Sequence, residues 1–286
     1  MTSLTAHSRR ALLRYTADVR TLFLLLAFNT LLVVQWLHVA NAWYLLVTTY
    51  VLAVVALVAK HNHNHCATFR SDALNSAFEL WLSLLTGNTT SGIITAHNRL
   101  HHGQNNTQAD FVRCSLVRYR HNWQNLVAFF FVSVVEMYRN RPDDLAEWRH
   151  TRPRLYRQAV VERVATIGFI LTLAILDWKA TLIYCAGPWL FAQWFLVTIN
   201  LLQHQDCDFQ SEFGHSRNIT GGMMNWLLLN NGFHTAHHCY PALHWSLLAE
   251  AHRRIAPGIR GDLNYPSLWL CVWRRFITGE DWIGSR

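Results

Sequence analysis

From Thr21 to Ala59 the chain runs for 39 residues without one Asp, Glu, Lys or Arg. A soluble fold would leave charges on the wet face of elements this long. A bilayer core about 30 Å thick is crossed by a helix of about 20 apolar residues, so the stretch has the length of two crossings. His38 to Asn41 provides the polar turn between them. The first constraint is therefore a membrane hairpin, with spans over about 21–38 and 42–60.

A second hairpin follows late in the chain. Val160 to Leu176 and Thr181 to Leu202 are apolar and are separated by Asp177 and Lys179, giving spans over about 160–177 and 181–202. Ala73 to Leu85 and Trp123 to Val135 are apolar too, but at 13 residues each they are too short to cross and read as buried or interfacial helices. The expected fold is an all-α integral membrane protein with four transmembrane helices in two hairpins. Residues 61–159 and 203–286 would form a helical cap, and residues 1–286 a single domain.

Charge sets the expected orientation. Arg9, Arg10, Arg14 and Arg20 precede the first span, and Lys179 is the only one of the 25 Lys and Arg residues that would lie outside. The positive-inside rule then puts both termini and the cap in the cytoplasm, in an inner or plasma membrane. The basic arm lacks a short apolar core with a small-residue cleavage site, so the first span is expected to stay as an anchor. A net charge of +8 raises nucleic-acid binding, but the arginines border apolar segments and form no stripe with exposed aromatics, which excludes it. The six cysteines contain no C-x-x-C pair and read as free thiols.

Histidine is distributed far from evenly: 9 of the 17 fall in three short boxes. His61, His63 and His65 form the first, at the cytoplasmic end of the second span. His97, His101 and His102 form the second, and His234, His237 and His238 the third, whose i, i+3, i+4 spacing shares one helical face. Asn200 and His204 add an i, i+4 pair closing the fourth span, in the same compartment. His63 is two positions from each neighbour and points away from them on a helix, so it is left out of the ligand set. The rest, His61, His65, His97, His101, His102, His204, His234, His237 and His238, are nine nitrogen donors. A zinc site takes three or four such ligands, so nine suit two metals. Almost purely imidazole ligands beside lipid favour two irons performing oxygen chemistry over structural zinc. Asp110, Asp206 and Asp208, with Glu212, either accept the second ring N–H of a ligand or are solvated loop residues.

These residues resemble the membrane fatty acid desaturase superfamily, also called the membrane desaturase and hydroxylase family. The resemblance rests on His61 to His65, His97 to His102, the Asn200 and His204 pair, and His234 to His238 followed by Pro241, and it covers nearly the whole chain. It implies a di-iron site at the cytoplasmic membrane face, with the nine histidines binding iron directly and Asn200 contributing through a water molecule. The first box has a three-residue gap, as in several subgroups, rather than the four of the animal acyl-CoA enzymes. Asn230 to Phe233 stands where many desaturases carry an Asn-Tyr pair. The segment His238 to Trp245 also resembles carotenoid ketolases and related hydroxylases.

The expected activity is an oxidoreductase that uses dioxygen and external electrons to desaturate a fatty acyl chain. Removing one hydrogen from an unactivated carbon leaves a radical; loss of the adjacent hydrogen gives an alkene, whereas addition of oxygen gives an alcohol. The ligands do not choose between these outcomes, so hydroxylation or ketolation of a lipid or carotenoid is the alternative. With no flavin, nicotinamide, heme or iron-sulfur fingerprint in the chain, electrons would come from a separate ferredoxin, rubredoxin or cytochrome. The arginines between 113 and 157 would attract such a donor or bind the headgroups of membrane lipid. A histidine-rich metal transporter is the non-enzyme rival; it would set ligands near the midplane and on both sides, whereas these collect at one face.

Overall fold

The computed structural model describes residues 12–280, so the arm arginines Arg9 and Arg10 lie outside the described residues. Helix α1 (Asp18–Trp36) and helix α2 (Trp43–His65) pair along their length. Their turn is made by His38, which adopts a positive φ of 57°. Leu25 and Phe28 of α1 are fully buried, and the Gln35 amide donates to Thr49 at 2.5 Å between the helices. Satisfying that amide internally matters because a bilayer core supplies no water partner. The sequence ended the second span at residue 60, but α2 continues to His65, so the first box is its last turn.

Helix α3 (Asp72–Thr86) starts at Ser71, whose hydroxyl accepts the Leu74 N–H, and stops at Gly87 in the left-handed region. A Cβ on Gly87 would collide with the Trp189 ring, so glycine serves both the turn and the packing. A π-helix over Ile94–His101 follows, then α4 (Asn122–Asn140) and α5 (Asp144–Thr151). Trp123, Val127, Phe131 and Val135 form an exposed stripe on α4, while Asn125, Phe129 and Ser133 face inward. At i, i+4 spacing this is the amphipathic pattern of a helix lying along a membrane surface. It runs to 19 residues, longer than its apolar segment predicts, because polar residues extend it at both ends.

Among the described residues three helical stretches are long and apolar enough to cross a membrane: Asp18–Trp36, Trp43–His65 and Pro153–His204. The last holds 52 residues. At 1.5 Å per residue a straight helix of that length would measure about 78 Å, more than twice a bilayer core. It is not straight. Helix α6 (Pro153–Ala180) leaves helical geometry at Asp177, with φ −152° and ψ 93°, and a π-wound turn over Thr181–Ala186 leads into α7 (Gly187–His204). Hydrogen bonds give the direction of each half. Near the start of α6, Glu162 accepts from Ser91, close to the second histidine box. At the far end His38 of the α1–α2 turn donates to Asp177 at 2.9 Å. Helix α6 therefore leads away from the histidines, and α7 returns to them at His204. The result is four antiparallel rods with every histidine box at one end.

Shorter elements close that end: α8 (Gly222–Leu227), α9 (His234–Cys239), α10 (Leu248–Ile255) and α11 (Leu268–Val272). Among the described residues the only strand pairing is two residues long, Asn218–Ile219 alongside Asn264–Tyr265. The C-terminal part is tied to the first rod through Asp18, which accepts from the Trp245 indole at 2.9 Å and contacts His244. Two charges are fully buried in the rods. Lys60 donates to the Thr86 hydroxyl and to Asn88, and Glu162 accepts both the N–H and the hydroxyl of Ser91. Buried charges persist only when hydrogen-bonded in this way.

Candidate metal centre

The nine histidines sit on four elements whose ends converge. The last turn of α2 supplies His61 and His65, the π-helix supplies His97 and His101 with His102 capping its end, α7 ends on His204, and α9 contributes His234, His237 and His238. They separate into two groups, His61, His65, His97, His102 and His237 in one, and His101, His204, His234 and His238 in the other. Within each group one nitrogen per ring lies within 4.8 Å of all the others. The groups adjoin, with the His102 and His238 rings stacked at 4.3 Å between centroids.

The π-helix explains how neighbouring histidines serve different groups. On an α-helix a residue five positions on is rotated by about 140° from the first, so His102 would face away from His97. With i→i+5 winding, seen in the His102 N–H to His97 carbonyl bond of 2.9 Å, His101 and His102 flank His97 on one side of the helix. Such winding recurs at functional sites.

Spacing between nitrogens is informative. His97 Nε2 has three Nε2 neighbours, His61 at 2.7 Å, His65 at 3.0 Å and His102 at 3.0 Å, and His204 Nε2 is 2.9 Å from His234 Nε2. One ring N–H cannot satisfy three such neighbours. Two nitrogens bound to a metal at about 2.1 Å and at right angles to each other are about 3.0 Å apart, so the spacing matches coordination. The buried Nε2 atoms of His101, His237 and His238 have no hydrogen-bond partner in the protein. Unpartnered nitrogens at the centre of a buried cluster fit a metal ion. Burial, reinforced by the neighbouring imidazoles, also holds His97, His102, His234, His237 and His238 well below the ordinary histidine pKa. They are thus neutral and ready to ligate without losing a proton.

The opposite ring nitrogens are held from behind. Asp110 is buried, accepts from His101 Nδ1 at 3.0 Å and is itself held by the N–H groups of Asn106 and Val112. Burial alone would raise its pKa, but the hydrogen bond from His101 and these backbone donors bring it below the usual value. His204 Nδ1 donates to the His215 carbonyl at 3.0 Å, and His61 Nδ1 to the Asn62 side chain at 3.1 Å. Sequence reasoning did not find these last two partners; a backbone carbonyl carries no residue signature. Asp206 and Asp208, expected beside a ligand ring, make their contacts with other groups. Asp206 takes a positive φ of 58° and pairs with Arg275 at 2.6 Å, and Asp208 accepts the Gln210 N–H in a local turn. His63 faces the other way, against Phe78, and accepts the Thr68 N–H at 3.2 Å. Asn200 stands one turn before His204 and donates to the Val112 carbonyl at 3.1 Å.

Both groups open on a cavity of about 420 Å³. His61, His97, His101 and His234 meet it, as does Asn200. The remaining wall is largely apolar, with Val134 and Met137 of α4 facing Leu196 and Ile199 of α7. Buried imidazole clusters able to hold metal ions, beside a largely apolar cavity at one end of membrane-length helices, are the arrangement expected of an integral membrane enzyme with an apolar substrate.

The comparisons with known proteins make this specific. The chain belongs to the fatty acid desaturase family, whose model matches residues 34–269 and so takes in all nine histidines. It is also similar to a sphingolipid delta(4)-desaturase of Candida albicans, with 24% identity over 260 residues, covering 84% of this chain and 69% of that protein. The protein is thus a desaturase-like oxidoreductase with a lipid substrate.

Proposed function

We propose that this protein desaturates a fatty acyl chain, using dioxygen and electrons from a separate protein at a di-iron centre held by the nine histidines, five on one iron and four on the other. The observation that carries this reading is the juxtaposition of two imidazole groups with unpartnered buried nitrogens on one apolar cavity. When bound, two irons supply the activation of dioxygen that C–H removal requires.

The residues of the chain set the conditions. Asp110, the His215 carbonyl and the Asn62 side chain take one ring proton each, leaving Nε2 of His101, His204 and His61 as the lone-pair nitrogen facing the centre. Asn200 stands beside the four-histidine group, where its amide would orient a water molecule that completes that group. The apolar wall excludes bulk water and straightens a hydrocarbon chain past the histidines.

On this reading the four rods are four crossings, and the histidine end faces the cytoplasm with both termini. Arg152 borders a surface pocket beside the second box, where Arg99 is already paired with Glu147 at 2.8 Å, and its charge supports docking of an acidic electron donor there. Expression in a bacterial host lacking the protein, followed by mass spectrometry of total fatty acids and pigments, tests the proposal. New double bonds in acyl chains are expected. Oxygenated lipids or carotenoids without new unsaturation would replace desaturation by hydroxylation or ketolation.

A further inference from the structure

Between α8 and α9 the chain makes a turn that its residue types do not favour. Leu229 and Asn230 take positive φ values of 49° and 60° in succession. Asparagine enters the left-handed region readily, whereas the Cβ of a leucine is crowded there. The surroundings hold the turn in place. Leu229 is fully buried, the Asn230 side-chain amide donates to the Trp245 carbonyl at 3.1 Å, and the Gly232 N–H donates to the Asn225 side chain at 3.0 Å. A Cβ on Gly232 would collide with the Ile219 carbonyl oxygen, so only glycine fits. Strain kept by its surroundings in this way marks backbone that is needed in one shape.

Asn231 shows what the shape accomplishes. Its Nδ2 lies 3.0 Å from the Leu228 carbonyl oxygen, 3.1 Å from that of Leu229 and 3.1 Å from Oδ1 of Asn62, near the end of α2. Two main-chain carbonyls can only accept, so the side-chain atom that meets them is the donating nitrogen. Asn62 must then turn its oxygen to Asn231, because its nitrogen would set donor against donor. On its other side, Nδ2 of Asn62 is buried and among the described residues has no hydrogen-bond partner, so nothing there holds the amide in this orientation. The same Oδ1 lies 3.1 Å from Nδ1 of His61. An oxygen at that place accepts, which puts the ring proton of His61 on Nδ1 and leaves the lone pair on Nε2, 2.7 Å from His97 Nε2 in the five-histidine group.

Resting on the reading of that group as a metal site, we propose that Asn231 is a positioning residue for His61 and sets, through Asn62, which ring nitrogen is free to ligate. The chain of cause runs from the strained turn to the Leu228 and Leu229 carbonyls, to the Asn231 amide, to the Asn62 amide and so to the imidazole. The segment that leads into the third histidine box thereby governs a ligand of the first.

Two measurements on the full-length protein in detergent test this. Nitrogen NMR of the metal-free protein, labelled at histidine and held at an alkaline pH where the rings are neutral, reads the tautomer, and the His61 signals are those lost in His61→Gln. Anaerobic titration with ferrous iron reads the two histidine groups separately. The wild type is expected to carry the His61 proton on Nδ1. Asn231→Ala leaves Asn62 free to turn, and is expected to move much of His61 to the Nε2-protonated form and to weaken iron binding by the five-histidine group roughly tenfold, with the four-histidine group unchanged. Adding Asn62→Asp to Asn231→Ala is expected to restore both, because a carboxylate accepts from Nδ1 whichever way it is turned. Should Asn231→Ala fail to fold, the isosteric Asn231→Asp takes its place; it offers Asn62 an acceptor instead of a donor and is expected to drive His61 to the Nε2-protonated form. A proton on Nε2 in the wild type, an unchanged His61 tautomer in the folded Asn231 variants, or an equal loss from both histidine groups that Asn62→Asp does not repair would overturn the assignment. A tautomer that responds as expected in a protein that takes up no iron supports the role of Asn231 and overturns the metal reading instead.

Discussion

Oδ2 of Asp110 lies 3.0 Å from Nδ1 of His101, with both side chains no more than 3 % exposed. That contact places the ring proton of His101 on Nδ1 and turns Nε2, unpartnered and buried, towards His204 and His238. In the Asp110→Asn variant the amide presents an N–H to Nδ1 as readily as a carbonyl, and the opposite tautomer blocks Nε2. Metal affinity of the four-histidine group is expected to fall roughly 10- to 100-fold, with the five-histidine group intact. Titration of the metal-free protein with ferrous iron measures both steps separately.

His63 and His65 provide a matched pair two residues apart. His63→Ala removes a buried acceptor of the Thr68 N–H and the packing on Phe78, and is expected to lower stability by about 1–3 kcal/mol without changing metal content. His65→Ala removes a nitrogen 3.0 Å from His97 Nε2 and is expected to abolish activity with a smaller change in stability. Metal analysis and thermal unfolding of the two variants, side by side, check the contrast; equal metal loss in both would remove the distinction between them.

Acid should unfold the metal-free protein. Burial lowers the folded-state pKa values of His97, His102, His234, His237 and His238, so below the unfolded value of about 6.5 the unfolded chain binds more protons than the folded one. The stability contributed by the neutral rings is thus present above about pH 6.5 and lost progressively as pH falls beneath it. The midpoint of thermal unfolding, measured after chelation between pH 8 and pH 5, is expected to drop steadily through this range, and a flat profile would contradict the neutral-cluster assignment. Bound metal should delay the drop, because it competes with protons for the same nitrogens.

The histidine clusters were legible in the sequence because a side chain with a metal-binding ring is conspicuous whatever fold carries it. The hairpins were legible because 39 uncharged residues leave few alternatives. What could not be read was geometry that depends on backbone winding. Nothing in Ile94 to His102 announces a π-helix, yet that winding decides that His101 joins one group and His102 the other. Asp206 and Asp208 looked equivalent to Asp110 by proximity to a histidine. A positive φ at Asp206 turns the chain towards Arg275, and only Asp110 points at a ring. The partner of His204 is a main-chain carbonyl, which any residue at position 215 would provide.

The central claim is that the nine histidines hold two irons in unequal groups. Its most direct test is metal analysis of the full-length protein purified gently under reducing conditions, in the wild type and in a His237→Ala, His97→Ala variant stripped of two ligands from the five-histidine group. The account predicts two irons per chain in the wild type and one in the variant. A wild type holding zinc, or no tightly bound metal, would contradict it, as would a variant that retains both irons.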